Sequence, residues 1–252
     1  AAPALARFPQ YACPIREAFP SVSPWRFRNP EPPMHLSSLL LCALCTLPVA
    51  RAHAGASLWV DDASITAAGH CQVESWWRDA GAGELTAAPA CAWASTEVGL
   101  TLSRGLGAAA SAFAIGVKQS LRDPEQGGWG AALSLESSWQ ARSPRYAEST
   151  LNLPLSFALD PQRRALLHVN LGWSQPRSGV GGAHAGLGLE RAAGGHWTWL
   201  GECYRERAAT LAEAGARYAF NGAASVDLLA GRRSADPAQR WLTLGLNVAL
   251  PD

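Results

Sequence analysis

Apolar and smaller or polar residues alternate with a period of two from about residue 70 onward, and that alternation excludes most folds. In Leu151-Asn152-Leu153-Pro154-Leu155-Ser156-Phe157-Ala158-Leu159 every odd position is large and apolar. Trp241 to Leu250 repeats the pattern over ten residues, as do Thr96 to Ser103, Gly130 to Ser138, Leu167 to Trp173, Ala185 to Glu190 and Ala212 to Phe220. Successive strand side chains point to opposite faces, so period two marks strands with two unlike faces. Short turn signals such as Asp160-Pro161, Gly194-Gly195, Asn221-Gly222 and Asp236-Pro237 separate the runs.

Length then divides the possible sheets. Strands of soluble sheets average about 5–6 residues, whereas a tilted membrane-spanning strand needs about 9–11. The runs here reach the longer class, and no amphipathic helix interrupts them. Eleven strands are predicted, at 70–78, 90–103, 110–121, 129–140, 149–159, 164–174, 183–192, 196–205, 211–220, 223–232 and 239–250. Bacterial single-chain barrels close with an even number. A short strand near Leu58–Asp62, or the loss of a weak one, brings the count to 12 or 10. The predicted fold is therefore all-β, an antiparallel up-and-down transmembrane β-barrel of about 10–12 strands.

The two faces differ in chemistry. One carries Val98, Leu100, Leu133, Leu135, Leu153, Leu155, Leu187, Leu189, Leu244 and Leu246. The other is rich in Gly and Ala and too sparsely charged for an ordinary solvated surface. With lipid outside, the apolar face points out and the polar face lines the lumen. The lumen-lining candidates are Glu74, Glu97, Lys118, Glu136, His168, Asn170, Glu190, Glu202, Glu213, Arg217 and Asp227. Their acids outnumber Lys118 and Arg217, so a narrow lumen of this kind favours cations or small polar solutes. If Lys118 and Arg217 pair with the acids and fill the interior, the barrel is instead a closed structural or adhesion body. A soluble periplasmic β-barrel binding protein shows the same alternation with its faces reversed.

Export is the corollary of either exported reading. Met34 is the only methionine, and an apolar stretch from Leu36 to Leu47 follows it, then Pro48 and Ala52-His53-Ala54. This reads as a signal peptide over 34–54, after an upstream leader at 1–33 and before a barrel at 55–252. An exported chain can keep a disulfide. A hairpin centred on Gly81 sets Cys71 opposite Cys91, at about 5 Å, so a bridge is expected over two unpaired thiols, with Cys203 left free. Neither CxxC nor HExxH occurs, and no metal or cofactor is expected. With a net charge of +1 the chain carries no footprint for nucleic acid.

No catalytic set is legible. The His168-Val169-Asn170 run lacks the serine of a His-x-Ser pair, and no G-x-S-x-G elbow is present. If the last strand ends in the periplasm, the connections around 159–163, 193–195 and 221–222 form a short-turn rim. Those around 141–148, 175–182, 205–210 and 233–238 form a longer, Arg-rich outer rim. Arg142, Arg145, Arg177, Arg205, Arg207, Arg232 and Arg233 there are candidates for lipopolysaccharide phosphates, or simply solubilising charge.

Two segments carry a resemblance. Thr243-Leu244-Gly245-Leu246-Asn247-Val248-Ala249-Leu250 resembles the C-terminal insertion signal of outer-membrane barrels, although Pro251-Asp252 replaces a terminal aromatic. That implies the barrel-assembly machinery and outer-membrane lipid as partners. Asp61-Asp62-Ala63 with Gly69-His70-Cys71-Gln72-Val73-Glu74, and Leu167 to Trp173, resemble small proteobacterial outer-membrane barrels. Those are labelled transporters or phenol meta-degradation pathway proteins. The resemblance implies a porin-like, non-enzymatic barrel passing small polar or aromatic solutes.

Overall fold

The computed structural model describes residues 57–106, 111–142, 145–207, 209–234 and 236–250, without the side chains of 236–238. The leader at 1–33, the signal peptide at 34–54 and a cleavage after Ala54 lie outside the described residues.

Twelve strands follow one another: β1 (Cys71–Arg78), β2 (Glu84–Trp93), β3 (Thr96–Gly105), β4 (Ser111–Arg122), β5 (Trp129–Gln140), β6 (Arg145–Ala158), β7 (Ala165–Pro176), β8 (Gly182–Gly194), β9 (Trp197–Glu206), β10 (Ala209–Ala219), β11 (Ala224–Arg233) and β12 (Asp236–Ala249). Each pairs antiparallel with its sequence neighbours, and β1 closes on β12 with Gln72 opposite Ala249. The ring is complete, so no strand edge is left unpaired. The expectation of an all-β antiparallel barrel is borne out. Among the described residues the only helix is a single 3-10 turn, Pro124–Gln126.

The strand inventory differs from the expected one at two places. The run predicted as one strand over 90–103 is the end of β2, a two-residue turn at Ala94-Ser95, and most of β3. Ala94 makes that turn with φ 54, a conformation that usually announces itself with Gly or Asn. Pro89 and the alanines around it also break the apolar alternation of β2. The stretch at Leu58–Asp62 is not a strand.

An even strand number brings the start of β1 and the end of β12 to one rim, here called the terminal rim. The opposite rim was expected to carry the longer connections, and it does not. Its connections, such as 79–83 and 177–181, match 123–128 and 159–164 of the terminal rim in length. The strands continue into segments read as loops: β6 already begins at Arg145 and β12 at Asp236. At the terminal rim Asp160 accepts from the amides of Gln162, Arg164 and Ala165. Desolvation works against ionisation, but these donors and the Arg164 charge together prevail and hold its carboxyl below the usual range.

Burial is inverted relative to a soluble protein. Leu135, Leu187, Leu228 and Leu244 are more than half exposed, while Asn170, Asp227, Thr243 and Asn247 are almost wholly buried. Aromatic side chains border this apolar band at both rims. Phe113 stacks on Trp139 beside Tyr146 at the opposite rim. Trp197, Tyr218 and Phe220 cluster at the terminal rim. An outward apolar belt between two aromatic girdles is the surface of a barrel solvated by lipid.

The disulfide forms as expected. Cys71 and Cys91 are direct cross-strand partners with Cα atoms 4.0 Å apart, and Cys203 is free and exposed on β9.

Candidate functional site

The interior of the barrel holds a segment of the chain itself. Residues 57–66, which precede β1, run from the middle of the lumen to the terminal rim. At mid-lumen Ser57 Oγ donates to Asp227 at 2.5 Å, and Arg78 donates to the Ser57 carbonyl at 2.9 Å. The amides of Trp59 and Val60 donate to the two oxygens of Glu202, each at 2.8 Å. Asn170 accepts from the Asp61 amide at 2.8 Å and donates to the Asp61 carbonyl at 2.6 Å. Ser156 Oγ accepts from Ala63, and Glu97 accepts from Thr66 at 2.7 Å beside the terminal rim.

These contacts follow from sequence in a simple way. A segment without a strand partner leaves every amide short of an acceptor, and a buried amide left unpaired is costly. The period-two pattern places Glu202, Asn170, Ser156 and Glu97 on the inward face of four different strands, where their side-chain oxygens substitute for a missing ladder.

The remaining candidates form three paired groups, two acids that border open space, and one buried histidine. Lys118, the only lysine, lies 2.9 Å from Asp61 and 3.8 Å from Asp62. Arg217 makes a forked pair with Asp227, at 2.7 and 2.9 Å, and reaches Glu190 at 3.6 Å. Glu213 accepts from Trp241 Nε1 at 2.7 Å and lies 4.0 Å from Arg78. Glu74 and Glu136 border open space, with Thr101 donating weakly to Glu136 at 3.4 Å. His168 is buried and shares a 2.8 Å hydrogen bond between Nδ1 and Ser156 Oγ.

Open space remains on both sides of the segment. A cavity of about 500 Å³ extends toward the opposite rim, bordered by Asp61, Glu74, Glu97, Glu136, Glu148 and Glu206, with Lys118, His184 and Tyr204. A second, of about 260 Å³, opens among the turns of the terminal rim beside His168, Glu190 and Arg217. Asp62 and Ser64 border both. Residues 57–66 therefore stand between the two spaces where Asp62 and Ser64 border both.

Several members of this site were not singled out from sequence. Arg78 sits at the end of β1, next to the acidic turn residue Asp79, and reads as rim charge. Its guanidinium instead lies inside, 4.4 Å from the centroid of the Trp59 ring. Trp59 and Ser57 belong to a stretch with no period, and Ser156 is one hydroxyl among many. The glycines opposite them, Gly186 and Gly245, were the available signal, because a strand glycine often marks close approach of another backbone. Among the described residues no group of three His, Cys, Asp or Glu is placed to hold a metal ion.

Known structures share this architecture. The KdgM porin superposes with a TM-score of 0.60 at 6% identity, covering 71% of this chain and 99% of that one. A second structure, the KdgM porin in complex with disordered oligogalacturonate, gives 0.59 at 6% identity and the same coverage. The NanC porin gives 0.54 at 8% identity, covering 72% of this chain and all of that one. Identities this low carry the fold alone. No curated protein matches the chain. One family model spans residues 41–250, the whole barrel and its luminal segment, and on that match the chain belongs to the family described as uncharacterised conserved protein UCP029691.

Proposed function

We propose that this chain is an outer-membrane channel for passive diffusion of small polar solutes, with a preference for cations. The observation that carries the reading is the acidic lining of the larger cavity, where Glu74, Glu97 and Glu136 face open space and the one lysine is already taken by Asp61 and Asp62. Carboxylates in a narrow, low-dielectric passage attract cations and repel anions. The candidates from Glu74 to Asp227 act in this reading as the walls of the passage. The oligogalacturonate of the KdgM complex is a polyanion, and such a lining does not favour one.

Outer-membrane residence is supported by the lipid-facing belt, both aromatic girdles and the fold shared with porins. Recognition of the β12 end by the barrel-assembly machinery belongs to the same reading. The arginines of the opposite rim, Arg142, Arg145, Arg177, Arg205, Arg207, Arg232 and Arg233, would then meet lipopolysaccharide. The chemistry of this lining is that of a conduit, without an enzymatic step.

One observation favours a second reading, the closed structural barrel. The segment 57–66 and the ion pairs of Arg217 occupy much of the interior. Planar-bilayer recording separates the two. Discrete conductance steps from the purified chain are expected. Their absence both from the full chain and from a folded variant lacking the wall contacts of 57–66 contradicts transport. Fractionation of the chain with soluble periplasmic proteins contradicts the location.

A further inference from the structure

The inner wall is cut to the shape of the segment it holds. A Cβ on Gly186 would stand 2.7 Å from Val60 Cγ2, and one on Gly245 would stand 2.9 Å from Ser57 Cβ. Any larger side chain at either position has to displace the segment or be displaced by it. Residues 57–66 thus occupy a seat that the barrel sequence leaves open for them.

The seat is polar. Of the segment's apolar side chains only Val60 and Ala63 are fully buried, and the Trp59 ring is 39% exposed. What holds the segment is a set of polar contacts: its amides on Glu202, Asn170, Ser156 and Glu97, Ser57 on Asp227, Arg78 on the Ser57 carbonyl, and Lys118 on Asp61. Both partners of such a contact can return to water when they separate, so each contributes far less than its strength in an apolar medium. The strands have no such freedom, because lipid offers their amides no partner. The segment is consequently the part of the molecule that can leave its place without dissolving the barrel.

Its base, by contrast, is fixed. Gly69 turns the chain with φ +85, its amide bonds to the Ala92 carbonyl at 2.8 Å, and the Ala92 amide returns a bond to His70 at 3.0 Å. The Cys71–Cys91 disulfide follows immediately. The arrangement is a strap with a stapled root, lying between two cavities that share Asp62 and Ser64 as a common wall.

We infer that residues 57–66 are the gate of the channel. Seated on Glu202 and Asn170, the strap keeps the two cavities apart and the pore shut. Swung away about the turn at Gly69, it joins them into one conduit and uncovers further luminal acids. This inference rests on the transport reading above.

Single-channel recording with two variants tests it. In a Cys203→Ser background, Ser57→Cys with Gly245→Cys links the strap to the wall, where the two Cβ atoms face each other. Oxidation is expected to abolish openings, and reductant to restore them to the frequency of a parent given the same reductant. In the second variant residues 57–66 are replaced by a Gly-Ser linker of equal length. Once heat-modifiable migration shows it folded, its open fraction is expected to exceed the parent's by at least about tenfold. The gate is contradicted if the cross-linked chain opens as often as its parent. A folded linker variant that opens no more often than its parent contradicts it equally, and both results leave the channel itself standing. If parent and linker variant are both folded and neither conducts, the transport reading fails and the gate with it.

Discussion

Arg217 shows how much of this molecule depends on single luminal contacts. Its guanidinium forks onto Asp227, whose side chain is fully buried, and also reaches Glu190. Asp227 further accepts from Ser57 and Asn247, so one carboxylate joins the wall to the strap. Removing the cation leaves that carboxylate buried without its counter-charge, which in proteins costs about 3–5 kcal/mol. Arg217→Ala is therefore expected to lower the temperature of heat-modified gel migration strongly. Arg217→Lys is expected to recover only part of the loss, because an ammonium cannot fork onto both oxygens. Equal stability of Arg217→Ala and the parent contradicts this. The pair was half legible in the sequence: alternation puts Arg217 and Asp227 on one face, but their direct apposition depends on the register of β10 and β11. Arg78 was not legible, since a charge at a strand end reads the same whether it turns outward or in.

At the scale of elements, β8 carries the lipid-facing argument most cleanly. Leu187 and Leu189 point outward, whereas His184, Gly186 and Gly188 point inward. An arginine on the lipid face near the bilayer midplane costs about 2–4 kcal/mol. Leu187→Arg is thus expected to reduce the folded, heat-modifiable fraction in bilayers, while His184→Arg, on the other face of the same strand, is expected to be tolerated far better. Similar losses from both contradict the assignment of faces. The β1–β2 hairpin adds a second case. Its disulfide closes a 20-residue separation, for which about 3 kcal/mol is typical. Cys71→Ser with Cys91→Ser should lower the urea midpoint of unfolding from lipid vesicles accordingly, and no shift contradicts a stabilising bridge. That bridge was readable from spacing, yet β2 as a strand separate from β3 was not, because the run predicted over 90–103 joins the end of one to the other. With Pro89 among alanines and a turn made by Ala94, β2 lacks both the apolar alternation and the turn residues by which the other strands are recognised.

The described residues form a ring of twelve strands with its apolar face outward and a strap inside its lumen. Its architecture was legible because strand length and two-residue alternation are properties of the repeating backbone, which the sequence carries at every position. The strap was not, because its amides are satisfied by side chains scattered over four strands and its own ten residues follow no period. Alternation singled out acids on the strands but not Glu148, Glu206 or the strap's own Asp61 and Asp62, and the bonds by which Glu97 and Glu202 hold the strap came only with the structure.

If these acids line a cation-favouring conduit, the reversal potential of open channels under a tenfold potassium chloride gradient reports it. The expected potential has the sign given by potassium permeating in preference to chloride, and it is smaller when Glu74→Gln and Glu136→Gln are combined. A potential of zero or of the opposite sign contradicts it.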